Sequence, residues 1–163
     1  MKKFGKKISP EIAIRQAELM VKLFELRRET VMREARSYIG GAFLPASAQE
    51  MLDIVRAGGK QSGFLFQVYG YWDMLAAFVA SGALNEQLVY DTCGEMYFQY
   101  AKIQPYVAEF RKKMKQPDWL FSLERLLDGS KANRERMART RTAVAAVAKM
   151  LAEAPAKRET EKL

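Results

Sequence analysis

Residues 64–79, FLFQVYGYWDMLAAFV, carry one formal charge in sixteen positions, Asp73. A stretch this apolar has three destinations: a membrane, a ligand-lined interior, or the inside of a helical bundle. A membrane-spanning helix needs about 20 apolar residues. This run is shorter, includes Gln67, Gly70 and Asp73, and is followed by Ser81, Gly82, Asn85 and Glu86. A helix apolar nearly all round in a soluble chain is an interior bundle helix. The sequence therefore predicts an all-α, irregular helical bundle around a central helix at 64–81, with no membrane span.

Local signals place the other helices. Ser9, Pro10 and Glu11 give a cap, a first-turn proline and an acid at the positive end of the dipole. No breaker follows until Gly40-Gly41. One helix of about 29 residues, on the order of 44 Å, is expected, with Ala13, Ala17, Met20, Val21, Phe24, Val31, Ala35 and Tyr38 on its apolar face. A helix this long projects from so small a domain or packs on another subunit. Ser47 and Glu50 form a capping box before a short helix that ends at Gly58-Gly59. Ser62 opens the central helix, and Gly82 ends it. Asn85 caps a helix that runs to Pro105, where it bends or breaks. A turn or two continues to Met114, and Pro117-Asp118 opens a short helix through Leu127. The last helix is expected from Lys131 to Glu153. The domain organisation is then a basic flexible N-terminus at 1–8, one helical domain at 9–153, and a disordered charged tail at 154–163. The first residues look briefly like the start of a secretory signal, but the apolar run a signal needs does not follow.

Composition removes several chemistries. The 163 residues include no histidine and one cysteine, Cys93. Histidine-based triads and histidine-ligated metal sites are excluded. A lone cysteine makes no internal disulfide and fits a reducing, cytoplasmic setting. Cys93 has no histidine and no nearby lysine to lower its pKa and reads as a small buried residue. Asp91 and Glu95, four apart, share a helix face with Gln99 and Lys102. Paired carboxylates can bind metal or move protons, yet such a pair more often forms a solvated polar face. Residues 58–63, GGKQSG, lack the order and preceding strand of a phosphate loop. Gly70 and Gly94 inside helices suggest close helix approach. No catalytic residue, metal ligand or cofactor is implied.

Asp73 needs a partner, because a lone buried carboxylate is costly. Arg111, Arg125, Tyr97 and Tyr100 are candidates, and Asp73 with Arg111 is the buried polar pair expected. The bland role is an ion pair that fixes helix register. The functional role is a general acid with a raised pKa in an apolar pocket, but no second catalytic group accompanies it.

Tyr71-Trp72-Asp73, the run from Gly82 to Asp91 (GALNEQLVYD), then Pro105-Tyr106 and Arg111 resemble a family of small uncharacterised bacterial all-helical proteins of unknown function. The resemblance covers about residues 64–127. The acid of that pattern is more often Glu; here Asp73 is one methylene shorter. The resemblance implies a helical fold and brings no activity with it.

The net charge of +8 sits at the ends. Residues 1–7 hold four lysines and no acid, residues 131–163 nine basic and four acidic side chains, and residues 8–130 fourteen basic and fifteen acidic. Lys2, Lys3, Lys6 and Lys7, with Arg134, Arg136, Arg139 and Arg141, are the candidate contacts for an anion or nucleic acid. Cations in the first turns of the last helix oppose its dipole, so helix stability does not explain them. Its stripe of Met137, Val144, Val147, Ala148 and Leu151 equally suits a self-associating helix. The expected role is non-catalytic: an interaction or structural module, homo-oligomeric through its first and last helices, with a protein partner as a further option. Polyanion binding, to nucleic acid or an anionic membrane surface, is the alternative and is not favoured. An enzyme or small-ligand binder using Asp73 comes last.

Overall fold

The computed structural model describes residues 8–160, and every regular element among them is helical. Helix α1 spans Pro10–Leu26 and α2 Thr30–Ser37, followed by a π-helical turn at Tyr38–Ala42. Next come α3 (Ala48–Ala57), α4 (Gly59–Ala80), α5 (Glu86–Thr92) and α6 (Gly94–Ile103). A 3₁₀ turn at Gln104–Tyr106 leads into α7 (Val107–Met114), α8 (Phe121–Gly129) and α9 (Lys131–Thr160). Helix α4 lies against α2, α3 and α8, while α9 closes the other side against α6 and α8.

The expected caps form. Ser9 Oγ accepts the Ile12 N–H at 3.3 Å, Ser47 Oγ the Glu50 N–H at 3.1 Å, and Asn85 Oδ1 the Leu88 N–H at 3.2 Å. Each satisfies an amide that the first helical turn leaves without a partner. Glu50 reaches back to the Ala46 N–H at 2.8 Å, one residue before the expected partner of a capping box. Gly82, at φ 79°, adopts the left-handed conformation that ends α4.

Four expectations are corrected. The single long first helix is two, broken at 27–29. The Arg27 side chain turns into the body, and its carbonyl accepts an N–H from Arg36 Nη1 at 3.3 Å. The break also changes the buried face: Gln16, Met20, Leu23 and Met32 point inward, while Ala13, Ala17, Val21, Phe24 and Val31 are exposed. The helix expected from Asn85 to Pro105 breaks at Cys93, and Gly94 opens α6 instead of sitting inside a helix. Helix α4 begins at Gly59, three residues before Ser62, and is the central helix expected, with one face left open. Phe64, Leu65, Val68, Tyr69, Tyr71, Trp72, Leu75 and Ala76 are buried, while Phe66, Gly70, Met74 and Ala77 face out. A Cβ on Gly70 would meet nothing within 4 Å, so no helix approaches there. Finally, α9 continues past Ala154-Pro155 to Thr160. The remainder of the expected tail, 161–163, and residues 1–7 of the expected basic N-terminus lie outside the described residues.

Candidate functional site

Asp73 and Arg111 do not pair with each other. The Asp73 carboxylate accepts the backbone N–H of Leu123 at 2.8 Å. Leu123 is the third residue of α8, so Asp73 acts as that helix's N-cap from a different helix. The local candidate for the cap, Leu120, is apolar, buried and left-handed at φ 60°, and offers no acceptor of its own. Arg111 donates to the Trp119 carbonyl and to Glu124, both at 2.7 Å. Both expected residues are thus committed to holding α8. Asp73→Ala is expected to destabilise the fold by about 1 kcal/mol, the ordinary value of a cap. Asp73→Asn, which keeps the acceptor, should cost a few tenths at most. Urea unfolding of the two variants checks this, and equal losses would exclude a capping role.

The arginines of α9 are mostly engaged too. Arg136 lies between two rings, its guanidinium 4.7 Å from the Tyr90 centroid and 4.2 Å from that of Tyr97, and it donates to the Tyr90 carbonyl. It passes directly over Gly94, where an added Cβ would sit 3.0 Å from its Nη2. Next to it Asn133 is buried, accepting the Tyr97 hydroxyl at 2.6 Å and donating to Glu86 and the Leu126 carbonyl. Arg134 donates to the Asp128 carbonyl at 2.5 Å, and Arg141 to Gln104 at 3.0 Å. Tertiary docking accounts for Arg136, while Arg134, Arg139 and Arg141 stay exposed. Lys2, Lys3, Lys6 and Lys7 lie outside the described residues.

The charged centre of the molecule is one that the sequence pattern does not expose. Glu95 accepts from two arginines. Arg36 binds it through Nε at 2.9 Å and Nη2 at 2.5 Å, and Arg27 donates to the same carboxylate. Gln99 Nε2 donates to Glu95 at 2.6 Å, and Gln99 Oε1 accepts the Trp72 indole N–H at 2.5 Å. The Arg27 guanidinium stacks 5.0 Å from Trp72 and 4.9 Å from Phe24. Tyr71, whose hydroxyl donates to the Leu23 carbonyl at 2.9 Å, is pushed up to about 12 by burial. The break at Cys93 separates Asp91 from Glu95, so the expected carboxylate pair does not form; Asp91 accepts from Gln87 instead. Burial raises the pKa of the Cys93 thiol, with the Thr92 hydroxyl, Arg27 and Arg136 opposing part of the rise. Residues 58–63 make the α3–α4 corner, where Lys60 pairs with Glu34 at 2.7 Å.

A second buried cation stands nearby. Lys102 donates to the carbonyls of Ile39 and Gly40, each at 2.7 Å, and of Phe43 at 3.1 Å. It caps the π-helical turn, whose last carbonyls have no helical partner. What these groups can do together is hold helices at fixed angles. Among the described residues, no group of three or more Asp, Glu or Cys side chains is placed to hold a metal ion.

A family model described as a domain of unknown function, DUF4760, matches residues 12–130. The chain belongs to that family. The DUF4760 region extends the resemblance read over 64–127 in both directions, from the first turn of α1 to the end of α8. It contains the whole Arg27–Arg36–Glu95 clamp and leaves α9 outside. No curated protein and no solved structure matches the chain. No helix of the described residues is long and apolar enough to cross a membrane.

Proposed function

We propose that this chain is a non-catalytic helical module that self-associates through the outward face of α1. The supporting observation is an apolar row on the side of α1 turned away from the body. Ile14 is 60% exposed, Val21 58% and Phe24 38%. With Ala17 they follow the 3-4-3 spacing of a coiled-coil seam. The buried residues Gln16, Met20 and Leu23 occupy a different face. One helix therefore carries two apolar faces, and the body covers only one.

Charge favours a second copy as the occupant. Beside the seam runs a row of alternating sign: Glu11, Arg15, Glu18, Lys22, Glu25. In an antiparallel pair, Ile14 meets Phe24 of the second copy and Ala17 meets its Val21. Arg15 and Lys22 then come within reach of its Glu25 and Glu18. Such a two-fold contact is self-complementary and closes. Helix α9 has less to offer, because Met137 and Val144 of its stripe are buried against the bundle.

Light scattering after size exclusion tests the reading. Wild-type protein should run as a dimer whose mass is unchanged by high salt. Val21→Glu should give a monomer with an unchanged far-ultraviolet spectrum, since a surface substitution costs the fold within about 0.5 kcal/mol. A wild-type monomer at high concentration, or a Val21→Glu dimer, would overturn it. Material rich in 260-nm absorbance that sheds to monomer in salt would favour the polyanion alternative.

A further inference from the structure

A cleft of about 490 Å³ lies where α9 crosses the loop after the π-helical turn and the end of α6. Leu44, Tyr106, Val144 and Ala148 are among its walls, together with Lys102 and Arg141. The volume is that of small-molecule sites, which are mostly apolar with a few placed polar groups. Among the described residues that line it, the two charged ones are both cations. Lys102 is buried, and no carboxylate among the described residues pairs with it. Its three hydrogen bonds end on neutral carbonyls and the Phe98 ring lies 5.1 Å away, so dipoles and not a counter-ion balance its charge among the described residues. A buried charge without a counter-charge is unfavourable, and an anion held close by relieves it. Arg141 is exposed, with one contact at 3.0 Å to Gln104. It retains N–H groups for a carboxylate, which guanidinium binds in a two-pronged fashion.

We propose that this cleft binds an aliphatic carboxylate, a fatty-acid-like amphiphile, with its chain along Leu44, Tyr106, Val144 and Ala148 and its head on Arg141. The site joins the DUF4760 region to α9, and it is independent of self-association through α1. It gives Arg141 a role that the sequence could describe only as attraction to an anion.

Calorimetric titration of the full chain with three ten-carbon probes below their micellar concentrations tests the assignment: decanoate, decanol and decyltrimethylammonium. Decanoate should bind saturably at one per chain. Decanol should bind about tenfold more weakly, the value of one lost charged hydrogen bond, and the cation should not saturate. Ala145→Trp, which fills an exposed position on the cleft wall, should abolish decanoate binding. Arg141→Gln should weaken it about tenfold and leave decanol unchanged. Both variants should keep the wild-type helical spectrum. The proposal fails if decanoate does not saturate, if the cation binds as well, or if Ala145→Trp binds decanoate like wild type, which would put the probe on the open face of α1 or α4.

Discussion

Glu95→Ala should destabilise the folded chain by about 3–5 kcal/mol, the cost of leaving buried partners of a carboxylate unpaired. Two guanidiniums converge on this one group, and the Arg27 side chain is only 9% exposed while Glu95 is 25% exposed. Removing Glu95 leaves two like charges facing each other at the junction of α1, α2 and α6. It also frees the Gln99 amide that orients the Trp72 indole. The three-ion cluster as a whole is worth far less than this number, because desolvating its charges offsets most of their attraction. Removing the ions together should therefore cost less than removing the acid alone. The Arg27→Met/Glu95→Leu double variant should recover a large part of the loss, although Arg36 stays charged. Urea unfolding followed by far-ultraviolet dichroism and by tryptophan emission measures both effects. A loss below 1 kcal/mol for Glu95→Ala would mean that water already solvates the cluster and that it is not what sets the break between α1 and α2.

The same cluster shows what was legible in the sequence and what was not. Caps at Ser9, Ser47 and Asn85 depend on an acceptor and an amide three residues apart, so the chain displays them locally. The stop at Gly82 and the bend at Pro105 are likewise properties of single residues. The breaks at 27–29 and at Cys93 belong to long-range polar contacts. Arg27 and Glu95 are 68 positions apart, and neither carries a mark distinguishing it from a solvated charge. Helical periodicity chose the richer apolar face of α1 as the core face. In the fold Ala13, Ala17, Val21 and Phe24 of that face are outside, only its Met20 is buried, and Arg27 and Gln16 are buried with it. Arg136 misleads for the same reason: a guanidinium between two tyrosines reads, in sequence, as one more surface cation. The candidate pair of Asp73 and Arg111 identified two residues with real tertiary roles around α8. It mispaired them because the acceptor Asp73 serves is a backbone amide, which every residue possesses and no pattern singles out. Arg141 was legible only as charge, since the cleft beside it is made by three segments that meet after folding.

Lys102→Met should destabilise the chain by about 2–4 kcal/mol, through carbonyls left without donors. The carbonyls of Ile39 and Phe43 are buried, and that of Gly40 is partly so. Water can reach the last more easily, which is why three lost bonds do not add up to three full penalties. Relief of the buried charge works in the opposite direction and keeps the net loss moderate. That relief has its own signature in pH. Burial lowers the Lys102 ammonium from 10.5 to about 8. Below pH 8 the folded and unfolded chains both hold the proton. Between 8 and 10.5 the folded chain has released it while the unfolded chain keeps it. The unfolded state then binds more protons, so raising the pH favours folding as far as this group is concerned. Subtracting the Lys102→Met profile from the wild-type profile cancels the other titrating groups. The difference should be flat below about pH 8, rise in favour of wild type up to about 10.5, and level off. Urea unfolding of both proteins from pH 7 to about pH 11.5 gives that curve. A flat difference would mean that the three carbonyl bonds hold the proton as strongly as water does, and that capping outweighs burial at this site. A difference falling with pH would mean that the charge itself stabilises the π-helical turn, so that the cleft beside it has no unmet demand for an anion.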